Sequence, residues 1–275
     1  TADVYGDGRS EKFIGEILKN TKEKIYVATK AGRRLDPHVS KGYNLKNIEA
    51  FIDRSLLNLG IDTIDLLQLH CPPSDICGKS ETYEMMDEIV KRGKIKYYGV
   101  SVEKVSEALD AIKFPNVKSI QIIFNIFRQK PSEIFFKEAK KNNVAIIVRV
   151  PLASGLLTGK MNLNSSFPKN DHRNYNINGD SFDVGETFSG INFHKGIEAV
   201  KELKTLLPQD FSLTDLALKW ILSHDEVTVV IPGAKNKLQA QLNTRASEMN
   251  NINTIMNSIS DIYQSYFKDD VHSRW

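Results

Sequence analysis

The sequence predicts an α/β barrel, in which parallel strands alternate with helices, and three observations lead to that class. Short apolar segments rich in Ile and Val recur along the chain, as expected of parallel strands buried on both faces. They are KIYVATK, IDLLQLH, KIKYYGVS, SIQIIFN, AIIVRVPL and VTVVIPGA. Stretches with the apolar spacing of amphipathic helices lie between these segments. The length of 275 residues suits one barrel domain covering residues 1–275.

Three of the intervening stretches have clear helical spacing, at residues 48–56, 85–90 and 135–139. Asn44 and Ser132 stand just before the first and the third, where an N-cap residue is expected. Alternation of strands and helices implies βαβ units with right-handed crossovers. About six complete units can be recognised, whereas a closed barrel of this type has eight.

Composition excludes several classes of protein. Lys and Arg number 37 and Asp and Glu 34, a balance that does not indicate nucleic acid or an anionic membrane as the main partner. No apolar run approaches the ~18 residues of a membrane span. The two cysteines, Cys71 and Cys77, are better explained as free thiols in a reducing compartment than as a disulfide. We therefore expect a cytoplasmic protein.

One segment interrupts the alternation. Residues 162–193 are rich in Asn, Ser, Gly and Asp and have no sustained period. A loop of this length in a compact fold is either a functional lid or disordered. We expect it to overhang the substrate side, where His172, Arg173 and Tyr175 are candidate substrate contacts.

A doubly wound dinucleotide-binding fold is the alternative, and its fingerprint is missing. That fingerprint is Gly-x-Gly-x-x-Gly directly after a strand. Here Gly6 and Gly8 are followed by Glu11 where the third glycine should stand. The barrel is therefore favoured.

Polar residues at the carboxyl ends of the strands are the candidates for catalysis, since barrel active sites lie there. Residues 1–5 are expected to be the end of one such strand. Tyr5, Lys30 and His70 make chemical sense together. A tyrosine has a pKa near ~10, and a neighbouring ammonium stabilises its phenolate and lowers that pKa. A histidine can orient a carbonyl oxygen. Each residue alone also has an ordinary structural explanation: a turn tyrosine, a solvated lysine or a core histidine.

Taken in order, these segments resemble the aldo-keto reductase family. TADVYGDGRSE is similar to the family segment with the catalytic Tyr, KIYVATK to the segment with its Lys, and DLLQLH to that with its His. GKIKYYGVS, SIQIIFN, PLASGLLTGK, VIPGAKNKLQAQLN and VHSRW resemble later family segments. The resemblance implies a TIM-type (β/α)8 barrel without a metal, with Tyr5, Lys30 and His70 as catalytic residues.

The resemblance also implies that the family's catalytic Asp precedes Thr1, because it lies five positions before the Tyr. The family's first strand, first helix and most of its second strand would then also precede this sequence. Asp3 is expected to be a turn residue.

The cofactor expected from the resemblance is NADP(H), with NAD(H) as the alternative. Ser101 and Gln121 would hold the carboxamide, although Val102 stands where the family often has Asn. The residues expected near the pyrophosphate are Leu152, Ser154, Gly155, Leu157 and Lys160. Those expected near the 2′-phosphate and the adenine are Gly233, Lys235, Gln239 and Asn243. Arg149 replaces a frequent aromatic residue and would stack on the nicotinamide, bind an acidic group or form a buried ion pair.

The resulting hypothesis is NAD(P)H-dependent reduction of an aldehyde or ketone, or the reverse oxidation, with Tyr5 as proton donor. The substrate would be a small carbonyl or sugar-like compound, and the protein a monomer or small homo-oligomer. A non-catalytic NADPH-binding regulatory subunit is the first alternative. A barrel isomerase or aldolase with a Schiff base on Lys30 is the second.

Overall fold

A computed structural model describes all 275 residues and contains six strands and eleven α-helices. The strands are β1 (Ala28–Ala31), β2 (Ile64–His70), β3 (Ile95–Ser101), β4 (Val117–Ile123), β5 (Ala145–Arg149) and β6 (Val227–Val230). The helices are α1 (Arg9–Asn20), α2 (Leu45–Leu59), α3 (Ser80–Lys91), α4 (Val105–Ala111), α5 (Phe135–Lys141), α6 (His172–Tyr175), α7 (Phe193–Thr205), α8 (Leu213–Leu222), α9 (Lys237–Arg245), α10 (Met256–Tyr266) and α11 (Lys268–Val271). All six predicted strands and the three predicted helices are confirmed.

The chain divides into two compact units. The first comprises residues 1–121 and 138–145, and the second residues 122–137 and 146–275. In the first unit, β1 pairs with β2, β2 with β3 and β3 with β4, each time in parallel. Helix α1 lies against α2 at close range, because a Cβ on Gly15 would meet the carbonyl oxygen of Leu59 at 2.7 Å.

In the second unit β5 pairs in parallel with β6. Its core holds an aromatic cluster in which Phe124 stacks on Trp220 with ring centroids 4.7 Å apart. Phe136 and His224 contact the same Phe124 ring edge to face, at 4.7 and 4.9 Å. Phe124, Ile126, Phe127 and Trp220 are all buried in this core.

Of the two predicted N-cap residues, one caps its helix and the other does not. Asn44 caps α2 as predicted, because its side chain accepts a hydrogen bond from the Asn47 N–H at 3.1 Å. Ser132 does not cap α5, so that prediction is wrong. It ends a short 3₁₀ turn, and its hydroxyl donates to the Gln129 carbonyl instead.

The segment before α1 is a turn and not the end of a strand, which corrects a second expectation. The Tyr5 N–H donates to the Ala2 carbonyl at 3.1 Å, and Asp7 and both neighbouring glycines have positive φ. Residues with this backbone geometry cannot continue a strand.

Residues 162–193 are ordered by local capping. The segment holds α6 and two 3₁₀ turns, Val184–Glu186 and Phe188–Gly190. Asp171 and Asp183 cap α6 and the first 3₁₀ turn by accepting backbone hydrogen bonds. Both cysteines are buried free thiols, as predicted. No helix is long and apolar enough to cross a bilayer.

Candidate active site

The carboxyl ends of β1 to β4 bring four predicted residues to one edge of the sheet in the first unit. His70 is in register with Ser101, and Ser101 with Gln121. Lys30 is in register with Gln68, two residues before His70. Lys30, His70, Ser101 and Gln121 are all buried. Since carboxyl ends of parallel strands meet at one edge, the sequence pattern was sufficient to predict this grouping.

The turn at residues 3–8 places Tyr5 beside this edge. The Asp3 N–H donates to the Lys30 carbonyl at 3.2 Å, which attaches the turn to β1. The Lys30 ammonium lies 5.2 Å from the centroid of the Tyr5 ring, and the His70 ring is 5.9 Å from it, edge to face. Tyr5 itself is 45% exposed. The site thus presents an accessible phenol beside a buried cation and a buried imidazole.

Lys30 is not a solvated surface lysine, which removes the ordinary explanation for a lysine at a strand end. Its side chain is only 4% exposed, and its ammonium donates to the Thr1 carbonyl at 2.9 Å. A buried ammonium is stable only where oxygen atoms or π electrons compensate for lost hydration. Both the Thr1 carbonyl and the Tyr5 ring contribute here.

The strand ladder continues past this edge of the sheet. Cys71 has a φ of 48°, and its N–H donates to the Ser101 carbonyl at 2.9 Å. The Val102 N–H donates in the same way to the Gln121 carbonyl. These bonds fix the backbone at His70, Ser101 and Gln121, so that their side chains are held by a rigid element.

Two buried carboxyl groups support the turn that carries Tyr5. Glu11 accepts hydrogen bonds from the Thr29 hydroxyl at 2.6 Å and the Asn58 amide at 2.9 Å. Asp3 is fully buried, and neither of its carboxyl oxygens accepts a well-formed hydrogen bond. Burial and the neighbouring Glu11 raise the pKa of Asp3 to about 7. Asp3 is a turn residue, as expected, but it is also a buried acid, which the sequence did not indicate.

A cavity of about 900 Å³ lies in the second unit, formed by the segments after β5 and β6 and the starts of α8 and α9. This volume is within the range of small-molecule and cofactor sites. The predicted cofactor residues that line it are Leu152, Ser154, Gly155, Lys160, Gly233, Lys235, Gln239 and Asn243. Leu157 is buried and does not line it, and neither does Arg149.

The turn after β5 forms one wall, and its backbone is unusual. Val150, Ala153 and Ser154 have positive φ values between 45° and 54° although none is a glycine. The Ser154 hydroxyl accepts from the Phe188 N–H at 2.9 Å and donates to the Glu186 carbonyl at 3.1 Å. Left-handed backbone at non-glycine residues persists where surrounding bonds hold it, and it is concentrated at functional sites.

The start of α9 forms another part of the cavity wall. Asn236 caps the helix by accepting from the Gln239 N–H at 2.9 Å. The Gln239 side chain in turn accepts from the Lys235 N–H at 2.8 Å, and the Asn243 amide donates to the Gly233 carbonyl at 3.1 Å. Gln239 and Asn243 therefore shape the turn that presents Lys235. The N-terminus of such a helix favours anions.

Charges around the cavity are mostly paired. Arg173 forms an ion pair with Asp171 at 2.7 Å, Arg245 with Asp215 at 2.6 Å, and Arg149 with Glu186 at 3.4 Å. The Arg149 pair agrees with one of the three roles considered for that residue. Hydrogen bonds from Arg173 hold the pKa of Asp171 at about 2.

Two cavity lysines, Lys160 and Lys235, form no ion pair, unlike the arginines. The groups left to bind a ligand are thus these two ammonium groups, the N-terminus of a helix and the backbone of a turn. Anionic groups of a dinucleotide fit this set, and a volume of about 900 Å³ is within the range of cofactor sites.

Sequence reasoning missed the acidic partners of this cavity, Asp215 and Glu186. Asp215 could have been noticed, because Ser212 and Asp215 have the spacing of a capping box and form one at the start of α8. Burial alone would raise the pKa of Asp215, but bonds from Ser212 and Arg245 hold it below its ordinary value. Glu186 has no comparable local signal. Of the loop residues, His172 and Arg173 line the cavity and Tyr175 does not.

Comparison with known proteins gives a consistent result. A sequence model of the aldo/keto reductase family matches residues 1–263. An uncharacterized oxidoreductase of Bacillus subtilis, YqkF, is 30% identical over 99% of this chain and 83% of its own. The NADP(+) aldo-keto reductase yakc of Schizosaccharomyces pombe is 29% identical over 86% of this chain and 69% of its own. A probable voltage-gated potassium channel subunit beta of Arabidopsis thaliana is 27% identical over 96% and 82%.

The solved structures that resemble this chain include aldo-keto reductases as well. The holo form of an aldo-keto reductase of Bacillus halodurans has a TM-score of 0.72 and 29% identity, over 98% of this chain and 82% of its own. A glycerol dehydrogenase of Gluconobacter oxydans has a TM-score of 0.76 and 26% identity, over 97% and 80%. Members of this group use nicotinamide cofactors and act on small carbonyl compounds. With its parallel strands and helices, the chain belongs to the aldo/keto reductase family of (β/α)8-barrel oxidoreductases.

Proposed function

We propose that this protein reduces an aldehyde or ketone to the alcohol with NADP(H), and that Tyr5 delivers the proton. One observation carries the proposal: an accessible phenol lies 5.2 Å from a buried ammonium and 5.9 Å from a buried imidazole. A purely structural role of Tyr5 in the turn would not account for a buried cation beside its ring. The family and the relatives named as reductases add to that support.

In this proposal the bound reduced nicotinamide supplies the hydride that the carbonyl carbon receives. The His70 imidazole orients the carbonyl oxygen through a hydrogen bond, and Tyr5 Oη gives its proton to that oxygen. The Lys30 ammonium stabilises the phenolate that remains, because an opposite charge in a buried site acts at low dielectric. Solvent then returns a proton to Tyr5, which is exposed enough to receive it.

The cofactor contacts are proposed residue by residue. Ser101 and Gln121 hold the carboxamide, while Lys160 and the turn at Leu152, Ser154 and Gly155 hold the pyrophosphate. Lys235 meets the 2′-phosphate of NADP(H), assisted by Gln239 and the turn at Gly233, with Asn243 near the adenine. The unpaired charge of Lys235 at the wall of the cavity supports a preference for NADP(H) over NAD(H). Substrates would be small carbonyl or sugar-like compounds.

Tyr5→Phe tests the proposed mechanism. We expect kcat to fall by at least about 100-fold, because general acid catalysis contributes about 10² to 10⁴. The dissociation constant of NADPH should stay within about twofold, since the hydroxyl acts in the transition state. Tyr26→Phe is a matched control, because the Lys24 ammonium lies 4.9 Å from the Tyr26 ring at an exposed position. Full turnover in Tyr5→Phe would remove Tyr5 from the mechanism.

A regulatory subunit that binds NADPH without reducing substrates is the second candidate. The similarity to the probable potassium channel subunit beta favours it. NADPH oxidation would be followed with small aldehydes, ketones and sugars, and NADPH affinity measured in parallel by fluorescence. Turnover with any of these compounds supports the reductase, whereas tight binding without turnover supports the regulatory subunit.

A further inference from the structure

The segment of residues 183–190, here called the wall segment, connects the cavity to the rest of the second unit. On the cavity side, Glu186 lines the cavity and pairs with Arg149. The Ser154 hydroxyl bonds to the backbone of Glu186 and of Phe188. The Thr187 hydroxyl lies 3.2 Å from Nδ1 of His172, another cavity residue. Movement of the wall segment would therefore displace cavity residues on both sides of it.

Two large side chains, Arg128 and Trp275, lie against the wall segment at Gly185 and Gly190. The Arg128 guanidinium carbon lies 3.7 Å from the centroid of the Trp275 indole. Both are buried, at 1% and 5% exposure. A cation over an indole face is a strong contact when both groups are withdrawn from water.

Two glycines of the wall segment let these side chains approach its backbone. A Cβ on Gly185 would lie 2.1 Å from an Arg128 nitrogen and 3.0 Å from the indole. A Cβ on Gly190, where φ is +72°, would lie 2.4 Å from the indole. The indole and guanidinium are thus seated directly on main chain, and no side chain at either position could be accommodated without displacing them.

We propose that Arg128 and Trp275 form a clamp that positions the wall segment and thereby sets the affinity of the cavity for its dinucleotide. The inference rests on the proposed function, because that function assigns a dinucleotide to the cavity. Both residues are positioning residues: they act through Glu186, Phe188 and the Ser154 turn. The network from Trp275 to Ser154 consists entirely of contacts within the second unit.

The first test compares Trp275→Leu and Trp275→Phe with the unsubstituted protein. Amide hydrogen exchange of the wall segment is measured without dinucleotide, and NADPH affinity by fluorescence titration. We expect Trp275→Leu to accelerate exchange at residues 183–190 and to raise the NADPH dissociation constant about tenfold, which is ~1.4 kcal/mol. Trp275→Phe keeps a ring over the guanidinium and should recover most of both losses.

Gly190→Ala is an independent perturbation from the other side of the contact. Its methyl group would push the indole away, and we expect it to reproduce the Trp275→Leu result although Trp275 is intact. Phe114→Leu is the control for general destabilisation, because it disturbs a stacked pair with Tyr83 at 4.0 Å in the first unit. It should lower thermal stability and leave NADPH affinity unchanged.

The outcomes separate the clamp from the function on which it rests. Unchanged exchange and unchanged affinity in Trp275→Leu would overturn the clamp. Equal losses of affinity in Trp275→Leu and Phe114→Leu would also overturn it, because the effect would then be one of stability alone. If the unsubstituted protein binds neither NADPH nor NADH, the proposed function fails, while hydrogen exchange still decides whether Trp275 holds the wall segment.

Discussion

Asp3→Asn should make the protein more resistant to unfolding at alkaline pH while changing little at acidic pH. Asp3 is fully buried, and its pKa is raised from 3.8 to about 7 by burial and by Glu11, against smaller opposing effects of Arg34, Arg54 and the Val4 N–H. Between these two values the native state keeps a proton that the unfolded chain releases. The free energy of unfolding therefore falls as pH rises from about 4 to about 7. At ~1.36 kcal/mol for each pH unit, the loss amounts to at most about 4 kcal/mol.

The assay is urea unfolding of the wild type and of Asp3→Asn at pH values from 4 to 8.5. The stability difference should be small at pH 4, grow in favour of the variant up to about pH 7, and then stay constant. Asp7→Asn is the control, because Asp7 is exposed and its pKa is lowered by hydrogen bonds from Arg34 and Arg54. The Asp7 carboxylate stabilises the native state above pH 3.8, and this stabilisation is lost only at lower pH. The free energy of unfolding of Asp7→Asn should therefore be lower than that of the wild type by a constant amount over the same range. A pH-independent difference for Asp3→Asn would refute the reasoning.

Three further predictions concern the cofactor, a helix end and the sheet. Lys235→Ala should weaken NADPH binding by about tenfold or more, since one charge-assisted contact contributes about 1.5–3 kcal/mol. NADH binding should weaken much less, because NADH has no 2′-phosphate. Equal losses of affinity for the two in parallel titrations would mean that Lys235 does not contact the 2′-phosphate. Asn44→Ala should lower the free energy of unfolding by about 1 kcal/mol in urea titrations, because it removes the cap of α2. Gly99→Ala should lower the free energy of unfolding by at least about 2 kcal/mol in the same titrations. The new Cβ would lie 2.2 Å from Ser119 Oγ and 2.3 Å from the Ser119 carbonyl oxygen. A variant as stable as the wild type would show that β3 and β4 can separate locally.

The grouping of Lys30, His70 and Ser101 at one edge of the sheet could be predicted from sequence, because it follows from strand ends alone. Lys30, His70 and Ser101 each close a short apolar run, and parallel pairing then brings such ends together without any knowledge of side-chain packing. Ser132 was misassigned because a serine before an apolar stretch looks like a cap whether its hydroxyl bonds forward or back to the Gln129 carbonyl.

The charges around the cavity could not be predicted in this way. Asp215 and Arg245 are 30 positions apart, and their pairing depends on how α8 and α9 pack. The burial of Asp3 depends likewise on contacts with side chains such as Arg54, far along the chain. Local sequence patterns carry no information on such distant contacts, whereas apolar periodicity does indicate where the helices and strands lie.

The two unpaired lysines of the cavity have a kinetic consequence as well as an equilibrium one. Lys160 and Lys235 carry charge that no neighbouring acid cancels, so an approaching polyanion is attracted before it makes contact. At physiological ionic strength the range of that attraction is about 8 Å. If the cavity holds a dinucleotide as proposed, its association rate should therefore decrease as salt is added, while its dissociation rate, governed by short-range contacts, should change far less. Binding of the proposed cofactor would thus respond to ionic strength through its rate of encounter and hardly at all through its residence time.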